Sequence, residues 1–519
     1  MRKHKFTKLV ALVMALVLMC ALFSGCTQQP EKTPSSSKPV DNKPVDNKPE
    51  ESSKVEPVNT DDVVTLSIYL MSSSITDDVD LVEQAINEYV EPKIGVNVDI
   101  TFINSGSFQD TVSTMVRAGD PLDITFLSEV NLRSAISQDA VTPLNDLLAQ
   151  YGDGIVEAVG QEFIDAAYIN GEIYAIPSMK DMALSRMLVY NKAIAEEVGV
   201  QEDLKKVESI FDLTPIYEKV AAAYPDLDMF GGAPGANTFD TWDRDNLSDS
   251  LGVLMHYGQE DEVVNLFETD EYMELCKVMR TWYTNGWIDK DIATGTDFWN
   301  ARLKAKTAFS GITSYKPGNV ETCSNQVGYE LDYCILTPAT RTTSNVMNAT
   351  LCIPASSEHP DKAMQFLQLW YTDPVVGNYI INGIEGTHYE YKEDGGIGFA
   401  GDTNADTTRY YNYGMGWTYG NQFITPVWTG TALDVWDQTR EWNRSSTISK
   451  AFGFAWNNSD YLNEVTACAN VLSKYRGDLE TGTIDPEENI PKMVQELKDN
   501  GIDRIIAAKQ EQLNEFWGK

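Results

Sequence analysis

From residue 63 onward, apolar positions along the chain follow two periods in turn. "VVTLSIYL" (63–70) alternates as a half-buried strand does, and "TDDVDLVEQAINEYV" (76–90) then carries apolar residues at helical spacing behind an acidic start. "VNVDITF" (96–102) alternates again, a helix is predicted around 108–118, and "LDITFL" (122–127) is a short apolar strand. Strand–helix–strand–helix–strand implies right-handed crossovers and a largely parallel sheet. "AAYINGEIYAIP" (166–177) reads as a hairpin turning at Asn170-Gly171, and "LSRMLVYN" (184–191) as the strand leaving it. Longer helical segments fill 192–225 and 262–287. The pattern returns at "KTAFSGI" (306–312) and "ATLCIP" (349–354), and 460–519 is mostly helical. The fold class is therefore α/β.

The first sixty residues follow neither period. Arg2, Lys3, Lys5 and Lys8 precede an uninterrupted apolar run from Leu9 to Phe23, followed by Ser24, Gly25 and Cys26. This is the layout of a secretory signal over residues 1–25, too short to span a membrane comfortably as a mature helix. The Ser-Gly-Cys ending resembles a lipobox, where the leader is cut before a lipidated cysteine, here Cys26. Residues 26–60 are rich in Pro, Ser, Lys, Asp and Asn, with the five-residue repeat DNKPV-DNKPE and nothing apolar enough to fold. As a flexible coil such a tether averages about 30 Å end to end.

Charge and cysteine content narrow the function. The formal net charge is −37, and loss of residues 1–25 removes four basic residues and no acidic one. So acidic a surface repels phosphate backbones, so nucleic acid is not an expected partner. The five cysteines beyond Cys26 (Cys276, Cys323, Cys334, Cys352 and Cys468) form no CxxC pair, which argues against a disulfide framework or zinc ribbon. A single Cys323–Cys334 bridge stays open, and Cys352 reads as a buried thiol. There is no HExxH, Walker A loop or GxSxG elbow, and no GxGxxG after a strand. Asp402, Asn404 and Asp406 begin like a calcium loop but lack its Gly and its final Glu, which leaves a polar turn. No catalytic residue, metal or cofactor is expected.

Aromatic residues are plentiful: 11 Trp, 24 Tyr and 18 Phe. Several sit among Gly, Asn and Asp, as in "ANTFDTWDRDN" (236–246), "TDFWN" (296–300), "TSYKPGN" (313–319) and "RYYNYGMGWTYGNQF" (409–423). A ring flanked by polar turn-forming residues suits a pyranose, covering its C–H face while neighbours bond its hydroxyls. Trp282 and Trp287, inside a helical pattern, are expected in a core instead.

Four stretches then carry a resemblance: "INGEIYAIP", the segment 353–391 ending "GIEGTHYEY", "WTYGNQF" (417–423), and "YRGDLETGTIDPEENIPKMVQELKDNGIDRIIAAKQEQLNEFW" (475–517). Together they resemble the ABC-transporter extracellular solute-binding lipoproteins of family 1 (carbohydrate-type), in particular the LipO/LplA-like group with its distinctive C-terminal domain. Thr387 departs from the lysine common at its place in that group. The resemblance implies a two-lobed periplasmic-binding-protein-like fold (type II), with lobes joined by crossing hinge strands and ligand in the interlobe cleft. The first lobe is expected at 61–175 plus about 340–400, and the second at 176–340 plus about 401–519. It also implies a membrane-tethered monomer that binds a carbohydrate, closes on it, and delivers it to permease subunits at the outer face of the cytoplasmic membrane. A peptide ligand on the same architecture and a tethered glycoside-active enzyme are the alternatives.

Open α/β sheets bind ligands beyond the C-terminal ends of their strands. This places Ser72 and Ser73 after the first strand, and Ser128 and Glu129 after the third, among the expected ligand contacts. Lys180 and Arg186 at the crossing, with Trp242, Asp243, Trp299, Tyr315, Glu385 and Trp417, complete the set.

Overall fold

A computed structural model describes residues 63–73, 76–169, 171–232, 243–293 and 299–519. Cys26, the tether, Asn170 and Trp242 lie outside the described residues.

The strands of the first main sheet begin as the alternation requires. Strand β1 (Val64–Ser72) runs parallel to β2 (Val96–Asn104), with Val64 opposite Val96 and Ser72 opposite Asn104. β3 (Ile124–Leu127) lies parallel on the other side of β1, with Ile68 opposite Ile124. Helix α1 (Val79–Ile94) links β1 to β2 and buries Val82, Ile86 and Val90, one residue per turn. Its end is set by Gly95 at φ 65°, the left-handed conformation that closes a helix without a Cβ penalty. Helix α2 (Ser105–Ala118) links β2 to β3, and α3 (Glu129–Ile136) follows β3.

β4 (Ala175–Pro177) completes this sheet at one edge, and the chain then crosses to a second sheet. There β5 (Ser185–Asn191), β6 (Asp228–Phe230), β7 (Ala308–Tyr315) and β8 (Leu331–Ile335) stand in the order β8-β5-β7-β6. The chain returns at β9 (Thr350–Cys352), which inserts between β3 and β4 and is antiparallel to both. Within this first sheet, parallel pairing thus holds for the consecutive β1–β3 unit only. β9 arrives from the other sheet rather than over a crossover helix, so nothing forces it into the same direction. In the second sheet, β5 is likewise antiparallel to both β7 and β8.

The two crossing segments bond to one another, Leu184 N–H to Thr340 O and Thr340 N–H to Leu184 O, both at 2.8 Å. A third pass lies alongside, with Thr340 opposite Thr447 and Arg341 opposite Ile448. Each sheet has its own apolar core. The first unites Leu66, Ile68, Ile124, Phe126 and Leu351 with Trp370 and Tyr371. It also takes in Tyr410, Tyr419 and Phe423, so this part of 401–519, expected with the second lobe, packs on the first. The reason is local. Tyr410 donates to Ile380 O and Tyr419 to Met71 O, both buried carbonyls of the first core.

Helix α4 (Asp270–Thr284) is buried on two sides. Leu275, Met279 and Trp282 face the second core, whereas Tyr272 and Cys276 face a third. That third core joins residues 247–276 to the C-terminal helices α5 (Leu462–Glu480), α6 (Pro486–Asp499) and α7 (Ile502–Phe516). Trp282 is fully buried, as its helical spacing predicts. The five described cysteines are all free and buried. Burial pushes the Cys323, Cys334 and Cys352 thiols up to about 12, so they are inert at neutral pH.

Candidate functional site

The parallel register brings the C-terminal ends of β1, β2 and β3 to one edge, and polar side chains collect there. Ser72 is buried and donates its hydroxyl to Asn412 Oδ1 at 2.6 Å. Ser73 is exposed and donates to Ser105 Oγ at 2.8 Å, with Met415 Sδ 3.8 Å away. Gln109 of α2 accepts at Oε1 from Ser128 N and Oγ, both at 3.3 Å, and from Asn131 Nδ2 at 2.7 Å. Over this edge lies a 3-10 segment, Tyr413–Thr418. Its Trp417 is half-buried and meets Phe126 edge-on, ring centroids 6.0 Å apart. Aromatic, hydroxyl and amide side chains are thus drawn toward one edge from four separate stretches of chain.

Glu129, at the start of α3, is 5 % exposed. Burial by itself raises its pKa. The charge of Arg133, together with hydrogen bonds from Ser344, Arg133 and Ser248, outweighs that and holds the carboxyl below the ordinary glutamate range. The Arg133 pair measures 2.7 Å and the Ser248 bond 2.8 Å. Ser248 comes five residues after Asp243, so the second-lobe stretch that begins at Asp243 touches the strand ends through Glu129. Asp243 itself accepts from Arg244 at 2.9 Å.

On the second sheet, Arg186 stands opposite Ser314 and donates to its hydroxyl at 3.1 Å. Tyr315, one residue on, stacks on Tyr333 at 5.6 Å and meets Trp442 edge-on at 6.3 Å. Trp299 packs over Gly311 of β7, where a Cβ would lie 2.5 Å from the Trp299 Cβ. Glycine at 311 is what admits the indole. Arg186, Trp299 and Tyr315 therefore gather on adjoining parts of β5 and β7.

Two expected residues are placed elsewhere. Lys180 is 3 % exposed and donates to Asp181 O and Asn345 O, both at 2.9 Å. Burial pushes its pKa down to about 8, against the pull of Asp181 and with the push of Lys316. Its ammonium ties the crossing segment together. Glu385 is exposed and lines a separate groove of about 830 Å³ with Tyr379, Tyr391, Phe423 and Trp436. Gly383, at φ 77°, turns the chain out of the preceding helix there. The residues 402–408 form a polar turn in which Asn404 Oδ1 accepts from Asp406 N at 2.9 Å. Among the described residues no three His, Cys, Asp or Glu converge as metal ligands would.

Sequence reasoning missed Gln109, Asn131, Asn412 and Ser248. Asn412 lies in the aromatic stretch 409–423, a usable signal. Gln109 and Ser248 carry none, because their neighbours in sequence are ordinary.

Residues 72–377 match the family described as bacterial extracellular solute-binding protein. The chain belongs to that family. Residues 450–517 match a domain of unknown function, DUF3502. A carbohydrate ABC transporter substrate-binding protein of Streptococcus pneumoniae serotype 4 is 24% identical over 449 residues, 85% of this chain and 88% of that protein. Among solved structures, the N-glycan transport solute binding protein NgtS from S. pneumoniae is similar at TM-score 0.77 and 23% identity, covering 87% of this chain and 98% of that one. The S. pneumoniae substrate binding protein FusA in complex with kestose is similar at TM-score 0.60 and 16% identity, covering 88% and 100%. These likenesses establish the two-lobed solute-binding fold.

Proposed function

We propose that this protein is the solute-binding component of an ABC importer and that its solute is a sugar, most simply an oligosaccharide. One observation carries the reading. Trp417 meets Phe126 of β3, Met415 of the same 3-10 segment lies against Ser73, and Ser128, Gln109 and Asn131 cluster just past β3; a ring together with hydroxyls and amides is what a pyranose requires. The ligands of similar proteins support it: NgtS has been solved with Man1GlcNAc and Man5GlcNAc, and FusA with kestose. In this reading Ser72, Ser73, Ser128 and Trp417 belong to the first lobe's half of the site, and Arg186, Trp299, Tyr315, Trp242 and Asp243 to the second's. Ligand bound by both halves stabilises the closed state through contacts that the open state lacks. The lobes divide near 61–175 with 340–423, and 176–340 with the C-terminal helices. Cys26 carries the lipid, the tether supplies reach, and the monomer hands its solute to a permease without chemistry of its own.

A thermal-shift and calorimetric screen tests this with Man-GlcNAc glycans, fructo-oligosaccharides, alginate fragments and basic peptides. A glycan of one class should raise the midpoint, by about 2.7 kcal/mol of added stability at a hundred times Kd, and be recovered at unchanged length. Stabilisation by peptides alone, or shortened glycan products, would reject it.

A further inference from the structure

The turn at 245–251 holds two consecutive non-glycine residues at positive φ, Leu247 at 48° and Ser248 at 79°. There a Cβ crowds the following carbonyl, so such backbone persists only where its surroundings impose it. Short side chains do part of this. Asp245 Oδ1 accepts from Leu247 N at 2.9 Å, and Asp249 Oδ1 from Leu251 N at 2.8 Å.

The C-terminal domain does the rest. Lys509 of α7 is fully buried, pairs with Asp249, and donates to Gly252 O at 3.1 Å. Gly252, at φ 100°, lies so close to α7 that a Cβ there would come within 3.0 Å of Ile506. Arg476 of α5 donates to Ser250 Oγ at 3.3 Å, and Leu247 and Leu251 share a core with Ile502, Ile505 and Leu513. A fully buried ammonium is costly unless it is paired, and a methionine would fill the same space without that cost. What the charge adds is a fixed place for Asp249.

On its other side the turn faces the first lobe. The Ser248 hydroxyl donates to Glu129 Oε1 at 2.8 Å. Glu129 opens α3, whose Leu132 and Ala135 lie in the first core, whereas Leu247 and Leu251 lie in the third. This bond therefore runs between separately built parts of the molecule.

We propose that the C-terminal domain, residues 450–517, is the positioning element for this turn: Lys509 fixes it so that Ser248 meets Glu129, and that contact sets how closely the two lobes approach.

The test needs no ligand. The mature chain carrying Cys26→Ala is spin-labelled at Gln138→Cys and Lys206→Cys, exposed positions on the first and second lobes. The distance between labels is measured by pulsed EPR, and amide exchange is followed at Leu247 and Leu251. Lys509→Met should lengthen or broaden the distance distribution and speed exchange at both amides by about tenfold or more. Asp249→Asn, which keeps an Oδ1 acceptor but loses the ion pair, should do the same and serves in place of Lys509→Met if that variant does not fold. Ser248→Ala should lengthen the distance while leaving exchange at the two amides unchanged. Distances that stay the same in Ser248→Ala and in either turn variant would overturn the proposal, whether or not the turn loosens. Because every readout is ligand-free, a failed glycan screen leaves this proposal standing, and unmoved distances leave the solute reading standing.

Discussion

Trp282 is fully buried, its ring 4.8 Å from that of Tyr217 and its Nε1 donating to Thr214 Oγ1 at 2.9 Å. Trp417 is half-buried at the edge where the strands end. The same truncation should therefore give different outcomes. Trp282→Ala opens a cavity in the second core and is expected to cost about 3–5 kcal/mol of folding stability by urea titration. Trp417→Ala is expected to fold with a nearly unchanged midpoint and to weaken glycan binding by about 1–3 kcal/mol in calorimetry. Full affinity in that variant would remove the ring from the site. Glu129 gives a pH prediction. Its folded pKa lies below the ordinary glutamate value, so its stabilisation is present above the unfolded pKa and is lost as pH falls through the folded one. Below about pH 4.5 the wild type should thus lose stability faster than Glu129→Gln, whose side chain does not titrate. Parallel melting curves for the two proteins in acid would contradict this.

Among the elements, α4 serves two cores, since one face completes the second and another the third. Besides the shared core, the turn between α5 and α6 approaches it tightly. Gly482 has φ 75°, and a Cβ there would sit 2.3 Å from Met279 O, a backbone atom that cannot swing aside. Arg280 of α4 fastens the same point, donating to Gly482 O at 2.9 Å and Thr483 O at 3.0 Å. An alanine at positive φ without a clash costs about 1–2 kcal/mol. With this clash Gly482→Ala should cost about 2–4 kcal/mol, and α5 to α7 should become the first region to exchange amide protons. Gly286, also at positive φ but with open space around it, is the matched control and should stay near the lower figure.

At the scale of the molecule, the sequence sets a basic, apolar stretch and a polar, proline-rich stretch ahead of an acidic remainder. With a formal charge of −37 on the chain, attraction to anionic lipid headgroups cannot hold this protein at a membrane. One covalent attachment at Cys26 would have to do so. Expressed in a Gram-positive host, the protein should partition with membranes and incorporate labelled fatty acid. Cys26→Ala should abolish the labelling and release the protein to the medium. Labelling that persists in the variant would sink the anchor assignment.

The sequence alone determined what depends on short spacing. Periods of two and 3.6 residues marked β1, α1, β2 and the C-terminal helices, because burial of one face imposes those periods on any strand or helix. The positions of Ser72 and Ser128 were legible in the same way: Ser72 ends one strand and Ser128 stands just past another, where a parallel sheet gathers its loops. Only the tertiary structure decided which distant residues meet. Asn412 reaches Ser72 across 340 positions and Ser248 reaches Glu129 across 119. β9 inserts between β3 and β4 in the antiparallel sense, 410–423 packs on the first core, and Glu385 lines a groove of its own. Those pairings follow from repeated crossings between two sheets, and no local spacing records where a chain lands after it has crossed.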